Sequence, residues 1–462
     1  MITVFVRRIF PLLALAATLV LLVRLQGFPQ TGSDAYLHLR LGSEFRSGWS
    51  LTHPGHLSVF DTARWYPSQW LSQIVMSWTD DTVGIAGVIW LAGLFIVLLP
   101  IGMYAVCRTW VAPLPAVLGS IVGTCAAAPG LSARPQVVSY VLILVVTAAW
   151  LATARDGRPR WWLVAVAWAW VPVHGMWLVG ISIGLAAVVG IALNRTVGAR
   201  ALARLAAIPV ASALVPLLTP LGVHSYATVV GVSDRNTELT EWGPPDFTSP
   251  NAIALVVMAA VIVVVGLRSG PLDWPSVMLL GLGVAWGLFT VRTTFVAGVI
   301  LTPLLALALQ RIVPPVGRME RRELAALGAL GVAALAALGF QAMSEADDPP
   351  VAAWLDERLD AMPDGTTVLN NWELGHYSMW RHPQLQLVMH GYVDMFTVDE
   401  LERNITIATA EQRWDQEVAD LDVDYAVVDP ESRLGYGLTA LLGWTLVEGD
   451  DDYEVLAPPD SA

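Results

Sequence analysis

An aspartate and a histidine stand four residues apart near the N-terminus, in the segment Asp34-Ala-Tyr-Leu-His38. Because four residues are close to one helical turn, a helix would carry both side chains on one face. A carboxylate beside an imidazole at a membrane surface can abstract a proton from an acceptor hydroxyl. The spacing alone favours a plainer interpretation, in which Asp34 caps the helix and His38 packs at the interface.

Three further polar residues stand at the ends of apolar runs. They are Arg134 before a proline, His174 within Val-His-Gly, and Arg292 between two runs. If the apolar runs cross a membrane, charges at their ends are costly to bury and usually line a cavity. A guanidinium in such a cavity would bind a phosphate through two parallel hydrogen bonds. An arginine side chain that extends to the membrane surface explains Arg134 and Arg292 as well as a phosphate-binding cavity does.

A later polar segment reads Glu241-Trp242-Gly-Pro-Pro-Asp246. Its simplest interpretation is a proline-stiffened turn with a tryptophan at the membrane interface. Two acids beside a rigid turn could instead bind a cation or a sugar hydroxyl.

The chain that must position these residues is strongly apolar. Of its 462 residues, 55% are hydrophobic and 14% are charged, and the mean hydropathy is +0.58. A soluble chain would carry nearer a quarter charged residues, whereas apolar runs of about twenty residues can each cross ~30 Å of hydrocarbon as a helix. About eleven transmembrane helices are predicted, at 9–28, 83–107, 110–128, 135–153, 161–176, 177–193, 201–219, 251–268, 274–290, 294–310 and 324–341.

Arginines in the connecting segments predict the orientation. With the N-terminus in the cytoplasm, the inward-facing segments hold fourteen Arg and four acids, as the positive-inside rule requires. Two long loops, at about 29–82 and 221–250, then face outward. Long loops on a rigid scaffold are where function concentrates, and these two carry Asp34, Glu241 and Asp246. An odd number of helices also places the C-terminus outside the plasma membrane.

Residues 344–462 differ in composition from the apolar part at 1–343. From Glu345 onward there are five Arg and 26 acids, a balance of 5 − 26 = −21. This acidic balance gives no support to nucleic-acid binding. Alternating helix-like and strand-like segments predict a soluble extracytoplasmic α/β domain, so the expected fold is an all-α polytopic membrane bundle with this domain at its C-terminus. A helix is predicted at 350–362, a helical segment with a break at 399–421, and strands at 366–369, 385–389, 425–429 and 453–456.

The order of the polar residues resembles that of the GT-C type of bacterial integral-membrane glycosyltransferases. It is most similar to an actinobacterial-type group related to the dolichyl-phosphate-mannose protein mannosyltransferases. In that group the first outer loop reads Asp-x3-His-Leu-x2-Gly, then a Pro-Phe-Ser-like segment, then a Trp-Leu pair. The matching positions span nearly the whole chain: Asp34, His38, Leu39, Gly42, Ser58, Phe60, Trp65, Trp70, Leu71, Arg134-Pro135-Gln136, His174-Gly175, Pro220, Gly222, Glu241-Trp242, Pro245-Asp246, Arg292, Pro303, Asn371-Trp-Glu-Leu-Gly375, Tyr377 and Trp380.

The resemblance implies an inverting sugar transfer on the outer face of the plasma membrane. The donor would be a polyprenyl-phosphate sugar, and the acceptor a hydroxyl of a protein, lipid or glycan. Asp34 would be the general base, while arginines would stabilise the departing lipid phosphate. No cofactor is implied with certainty, and the acids permit a divalent cation without demanding one. The implied substrate-binding residues are His38, Arg134, His174, Glu241, Asp246 and Arg292.

The chain also departs from the group. A His-Glu pair before the second tryptophan is replaced by Ser68-Gln69, and an Asp-Gly-Arg element is replaced by His390-Gly391-Tyr392. These departures weaken the case for a metal site. They keep open a second function, a non-catalytic protein of the same fold that binds lipid-linked glycans or assists envelope assembly. A transporter is a third alternative, but it predicts polar groups at the bilayer midplane, and here they gather at the outer helix ends.

Overall fold

The computed structural model describes residues 9–25, 33–231, 243–315, 317, 319–346 and 350–459. Each apolar run predicted to cross the membrane contains a helix within those ranges, and two amphipathic helices lie in the segment 29–82. The names first and second outer loop are kept for 29–82 and 221–250 after the side on which they are predicted to lie. In chain order the helices up to residue 346 are α1 (Phe10–Leu25), α2 (Ser33–Ser47), α3 (Trp70–Val83), α4 (Ile85–Arg108), α5 (Pro113–Ala127), α6 (Gln136–Asp156), α7 (Trp162–Trp170), α8 (Trp177–Asn194), α9 (Ala199–Leu214), α10 (His224–Gly231), α11 (Pro250–Ser269), α12 (Trp274–Phe289), α13 (Val291–Gln310) and α14 (Arg321–Ala346).

Eight of the described helices are long and apolar enough to cross a membrane, so the chain is a multi-pass membrane protein. They are α4, α5 with the 3-10 turn that extends it to Gly130, α6, α8, α9 with the 3-10 turn that extends it to Leu218, α11, α13 and α14. Helices α1 and α12 are apolar but have 16 residues each. The helix predicted over 161–176 ends at Trp170 after nine residues, about 14 Å, because Pro172 cannot extend its hydrogen bonding. The count of eleven and the orientation stay predictions.

Helix α13 is the most buried of these eight. Of the residues in its apolar stretch, 78% are buried, against 17% in α14. Small residues on its neighbours permit this enclosure. A Cβ added to Gly123 of α5 would come within 1.8 Å of the Thr302 hydroxyl on α13, so the two helices approach closely, as small residues allow in membranes. This packing fixes the first turn of α13, which carries Arg292, at one end of the bundle core.

The first outer loop is built on the helices α2 and α3, which touch at their backbones. A Cβ added to Gly42 of α2 would lie 2.0 Å from the carbonyl oxygen of Gln73 in α3. The predicted helix with Asp34 and His38 on one face is confirmed as α2. The part of the loop that contains Trp70 and Trp78 forms α3.

The C-terminal residues form a five-stranded mixed sheet flanked by helices, which confirms a small α/β unit. Its strand order is β2-β1-β3-β5-β4; β1 is parallel to β2 and β3, and β5 is antiparallel to β3 and β4. The helices α16 and α19 and the strand β4 were not predicted. The strands are β1 (Thr367–Asn370), β2 (Gln386–Leu387), β3 (Tyr425–Val428), β4 (Thr445–Gly449) and β5 (Glu454–Ala457), and the helices are α15 (Ala353–Asp360), α16 (Trp372–Arg381), α17 (Val398–Thr409), α18 (Trp414–Ala419) and α19 (Arg433–Tyr436).

The first outer loop and the C-terminal unit share a buried apolar cluster. Leu41 of α2 packs there with Trp65 of the loop and Met395 of the C-terminal unit. The backbone N–H of Ala63 also donates to the carbonyl of Met395 at 2.8 Å. The C-terminal unit is therefore docked on the loop that carries Asp34.

Candidate functional site

Asp34, in the first turn of α2, has a nitrogen-bearing side chain beside each carboxylate oxygen. Arg134 Nε lies 2.9 Å from Oδ2, and His376 Nδ1 lies 3.4 Å from Oδ1. Arg134 directly precedes α6 of the bundle, and His376 belongs to α16 of the C-terminal unit. The Asp34 side chain nevertheless remains 30% exposed. Three distant parts of the chain thus meet at one accessible carboxylate.

The surroundings of Asp34 keep it ionised. Burial alone would raise its pKa, but Arg134, His376, His38 and Arg292 together hold the pKa below the ordinary value of 3.8. The carboxylate can therefore accept a proton at neutral pH. Burial lowers the pKa of His38 and of His376 to about 4 in each case, so both imidazoles are uncharged at pH 7.

His38 lies one turn after Asp34 and is buried. Its Nδ1 is 3.3 Å from the side-chain amide nitrogen of Gln73 in α3, so the amide N–H donates and Nδ1 accepts. The imidazole hydrogen of neutral His38 is then on Nε2. His38 influences Asp34 electrostatically, whereas the described contacts of the Asp34 carboxylate are with Arg134 and His376.

Arg292 lies where the N-termini of two bundle helices meet. It stands in the first turn of α13, which opens with a reciprocal capping interaction between Thr290 and Thr293. Its Nη2 donates to Oε1 of Gln136, the first residue of α6, at 3.1 Å. Helix N-termini carry partial positive charge and favour anions. The guanidinium and the two helix ends therefore form a setting suited to a phosphate.

The charge of this cluster is positive at neutral pH. Arg134 and Arg292 supply two positive charges and Asp34 one negative charge, which leaves 2 − 1 = +1. Burial, with smaller contributions from Arg292 and His38, lowers the pKa of His174 to about 3, so this histidine adds no charge. We call the set the Asp34 cluster; its members are Asp34, His38, Arg134, His174, Arg292 and His376.

The two acids predicted from the second outer loop are not brought together by the described structure. Glu241 lies outside the described residues. Asp246 is exposed, and its carboxylate accepts hydrogen bonds from the backbone N–H and the hydroxyl of Thr248, each at 2.8 Å. Three residues earlier, Gly243 accepts a hydrogen bond from the first residue of α13 at 3.0 Å. The segment thus starts beside the Asp34 cluster, while the Asp246 side chain completes a local turn.

His376 is the residue of this cluster that the sequence did not indicate. It stands inside a motif of which Asn371–Gly375, Tyr377 and Trp380 were recognised, but no helix was predicted there. A signal for the helix existed, because the Asn371 side chain caps it by accepting a hydrogen bond from the N–H of Leu374 at 2.7 Å. Asparagine is among the favoured residues at that position.

A divalent cation, which the acids of the sequence permit, has no matching set of ligands in the described part of the chain. No group of three or more His, Cys, Asp or Glu side chains is arranged there to hold a metal ion. Both oxygens of Asp34 face nitrogen atoms of Arg134 and His376, an environment unlike the oxygen-rich shell of Mg²⁺ or Ca²⁺. The surroundings of Asp34 thus suit a carboxylate held by nitrogen groups of the protein.

Solved structures resemble the chain over nearly its whole length. One is the archaeal oligosaccharyltransferase AglB from Archaeoglobus fulgidus, solved with an inhibitory peptide and a dolichol-phosphate; the TM-score is 0.56 at 12% identity, covering 99% of this chain and 75% of that one. A second is an Archaeoglobus fulgidus oligosaccharyltransferase tethered to an acceptor peptide. Its TM-score is 0.53 at 13% identity, and the match covers 93% of this chain and 70% of that one. A third is ArnT from Cupriavidus metallidurans in the apo state. Its TM-score is 0.50 at 14% identity, and the match covers 92% of this chain and 93% of that one. No protein-family model matches the chain, and no curated protein matches its sequence.

These likenesses establish the fold. At identities of 12 to 14%, the chain shares the architecture of membrane glycosyltransferases, and the GT-C fold implied by the sequence resemblance is confirmed. The relation to the protein mannosyltransferase group stays a prediction.

Proposed function

We propose that this chain is a membrane glycosyltransferase that moves a sugar from a polyprenyl-phosphate donor to an acceptor hydroxyl. The observation that carries the proposal is the Asp34 cluster, in which an ionised and partly exposed carboxylate contacts the Arg134 guanidinium and is influenced by that of Arg292, at the junction of two helix N-termini. The carboxylate suits a general base. The surplus positive charge suits the phosphate of a lipid-linked sugar.

The proposed reaction is a single displacement at the anomeric carbon. The acceptor hydroxyl gives its proton to the Asp34 carboxylate while its oxygen forms a bond to the anomeric carbon. The bond from that carbon to the phosphate oxygen breaks, and the phosphate leaves with the electron pair. Arg134 and Arg292 stabilise the negative charge that develops on the leaving group. Attack from the side opposite the phosphate inverts the anomeric configuration.

The remaining predicted site residues have supporting roles in this proposal. His38 and His174, uncharged at neutral pH, offer hydrogen-bonding groups to the sugar without competing for the phosphate. Asp246 and Glu241 belong to the outer loop that starts beside α13, and we propose that this loop contacts the sugar or the acceptor. The reaction takes place on the outer face of the plasma membrane, in the orientation that the arginine distribution predicts.

A lipid-linked-glycan binder without catalysis is the second candidate. The observation that favours it is the double engagement of Asp34, since Arg134 and His376 already lie beside its two oxygens. An acceptor hydroxyl would have to approach the exposed side of the carboxylate. The two candidates differ in whether the Asp34 carboxylate is needed for consumption of the donor.

The test compares a strain lacking this chain with its parent by mass spectrometry of lipid-linked sugars and envelope glycans. We expect the deletion strain to accumulate one polyprenyl-phosphate sugar and to lose one glycan modification. Expression of the wild-type chain should restore the parental profile, whereas Asp34→Asn should not. The matched control is Asp364→Asn, an exposed acid in a turn of the C-terminal unit, which should restore it fully.

Two outcomes would contradict the proposal. If the deletion leaves every lipid-linked sugar and glycan at its parental level, the chain is not the proposed transferase. If Asp34→Asn restores the parental profile, Asp34 is not the base and the non-catalytic candidate gains support. Detergent-extracted levels and thermal unfolding of each variant show that the comparison is made between folded proteins.

A further inference from the structure

His376 brings a side chain of the C-terminal unit into the Asp34 cluster. It stands in the second turn of α16, is 4% exposed, and places Nδ1 3.4 Å from Asp34 Oδ1. Nδ1 makes no hydrogen bond within the described structure, and this looser contact can orient the carboxylate while leaving it free to take a proton.

The backbone fixes which nitrogen of His376 carries the hydrogen. The N–H of Gly391 donates to His376 Nε2 at 2.6 Å, so Nε2 is an acceptor and the hydrogen of a neutral imidazole must be on Nδ1, facing Asp34. Burial, partly opposed by Asp34 and reinforced by His390 and Arg134, lowers the pKa of His376 to about 4. The ring is therefore neutral at pH 7.

The position of Gly391 is itself fixed from both sides. A Cβ at residue 391 would lie 2.3 Å from His376 Nε2, so the imidazole sits directly on the backbone there. The preceding His390 is fully buried and contacts the buried Asp61 of the first outer loop, with Nε2 2.8 Å from Oδ2. Asp34 and the residues that hold His376 thus belong to one connected structure.

We propose that His376 is a positioning residue for Asp34, and that the C-terminal unit therefore completes the transferase site. The inference rests on the proposed function, since positioning matters only if Asp34 acts as the base. Its Nδ1–H orients Oδ1 of the carboxylate, while Arg134 faces Oδ2. The face of Asp34 that remains exposed is then presented to the acceptor hydroxyl in a fixed direction.

Two substitutions at this residue separate positioning from plain packing. In His376→Asn the amide lies near the Nδ1 position and can still donate to Asp34. In His376→Gln the side-chain oxygen lies near the Nε2 position and can still accept from Gly391, while the donor to Asp34 is lost. Matched controls are His53→Asn and His53→Gln, at an exposed histidine of the first outer loop.

The first measurement is the steady-state consumption of the lipid-linked sugar that the deletion strain accumulates, by purified full-length protein. We expect His376→Gln to lower kcat roughly tenfold to a hundredfold, the effect of losing one polar contact with a charged group. KM for the lipid should change much less. His376→Asn should recover most of kcat. If His376 serves packing alone, His376→Gln should instead keep the higher kcat, because only the Gln side chain keeps the contact with Gly391. That result would overturn the inference.

The second measurement needs no transfer activity. Infrared difference spectra recorded against pH identify the Asp34 carboxyl band as the one missing from Asp34→Asn. Groups that face His376 and Asp34, namely Arg134, His38, His390 and Arg292, stay unchanged in every variant. We expect Asp34 to titrate at higher pH in His376→Gln than in the wild type, and near the wild-type pH in His376→Asn. If Asp34 titrates at the same pH in the wild type, His376→Gln and His376→Asn, the inference is overturned. If the wild type shows no transfer activity, that result counts against the proposed function alone.

Discussion

At the scale of single residues, the site is defined by the Asp34 carboxylate, which contacts Arg134 and His376 and is influenced electrostatically by His38 and Arg292. Asp34, Arg134 and Arg292 could be predicted from the sequence because charges at the ends of apolar runs are conspicuous and costly. Their mutual contacts could not, since Asp34 and Arg134 are separated by a hundred residues. His376 escaped prediction because a buried histidine in a soluble domain looks like any packing residue until its partner is known.

Replacement of Arg134 should shift the pH dependence of transfer. Burial raises the pKa of Asp34, and Arg134 is the largest of the groups that oppose it. In Arg134→Gln the pKa of Asp34 should therefore rise. A general base works only when deprotonated, so activity is lost as pH falls through its pKa, and the acidic limb of the rate profile should move to higher pH. Initial rates measured across pH check this. An unchanged or more acidic limb would show that Arg134 does not govern Asp34.

Replacement of Arg292 should weaken the binding of the lipid phosphate. Arg292→Gln removes the guanidinium at the junction of α6 and α13, and loss of one charge-assisted contact corresponds to roughly a tenfold to hundredfold weaker affinity. Titration of the purified protein with undecaprenyl phosphate measures the effect. Arg200→Gln, at an exposed position in α9, is the control and should bind as the wild type does. Equal affinities for the two variants would remove Arg292 from the phosphate site.

At the scale of elements, the site depends on backbones that touch. The apolar runs were recognisable because their length and composition are set by the bilayer, and α2 was recognisable from the spacing of Asp34 and His38. Helix α16 was missed because Gly375 and its aromatic neighbours resemble a loop motif by propensity. That glycine is required by packing instead, since a Cβ there would lie 2.0 Å from the carbonyl oxygen of Met389.

A methyl group at Gly42 should separate α2 from α3. The added Cβ would meet the carbonyl oxygen of Gln73 at 2.0 Å, and such overpacking costs about 1–3 kcal/mol. Gly42→Ala should therefore lower the temperature of thermal unfolding and reduce transfer, because His38 contacts the side chain of the same Gln73. Gly328→Ala in α14, where nothing lies within 4 Å of the added Cβ, is the control. If both variants unfold at the wild-type temperature, the close contact of α2 and α3 is not needed for stability.

At the scale of the whole molecule, the first outer loop and the C-terminal unit are packed against each other. The sequence indicated both parts, through loop length and through the shift to an acidic composition. It could not indicate that they dock on each other, because the docking contacts join residues more than 300 positions apart. Asp61 and His390 show this well: the side chains of both are fully buried, and their contact joins the two parts of the chain.

Loss of the Asp61 carboxylate should loosen this docking. Asp61 accepts hydrogen bonds from the N–H groups of Leu57 and Ser58, each at 3.1 Å, and contacts His390 at 2.8 Å. Asp61→Ala leaves these donors buried without an acceptor and should cost about 3 kcal/mol. Hydrogen exchange should then speed up in both α2 and α16, with Asp364→Ala as the control. Faster exchange in one helix but not the other would mean that the pair does not couple the two parts.

The most direct measurement adds purified protein to membranes of the deletion strain, which hold the accumulated donor and the unmodified acceptor together. We expect the wild-type chain to consume the lipid-linked sugar and to release the polyprenyl phosphate in equal amount, while the glycan modification reappears with inverted anomeric configuration. Asp34→Asn, equally folded, should leave the donor intact. Consumption of the donor by Asp34→Asn at the wild-type rate would contradict the central claim that Asp34 is the base of a membrane glycosyltransferase.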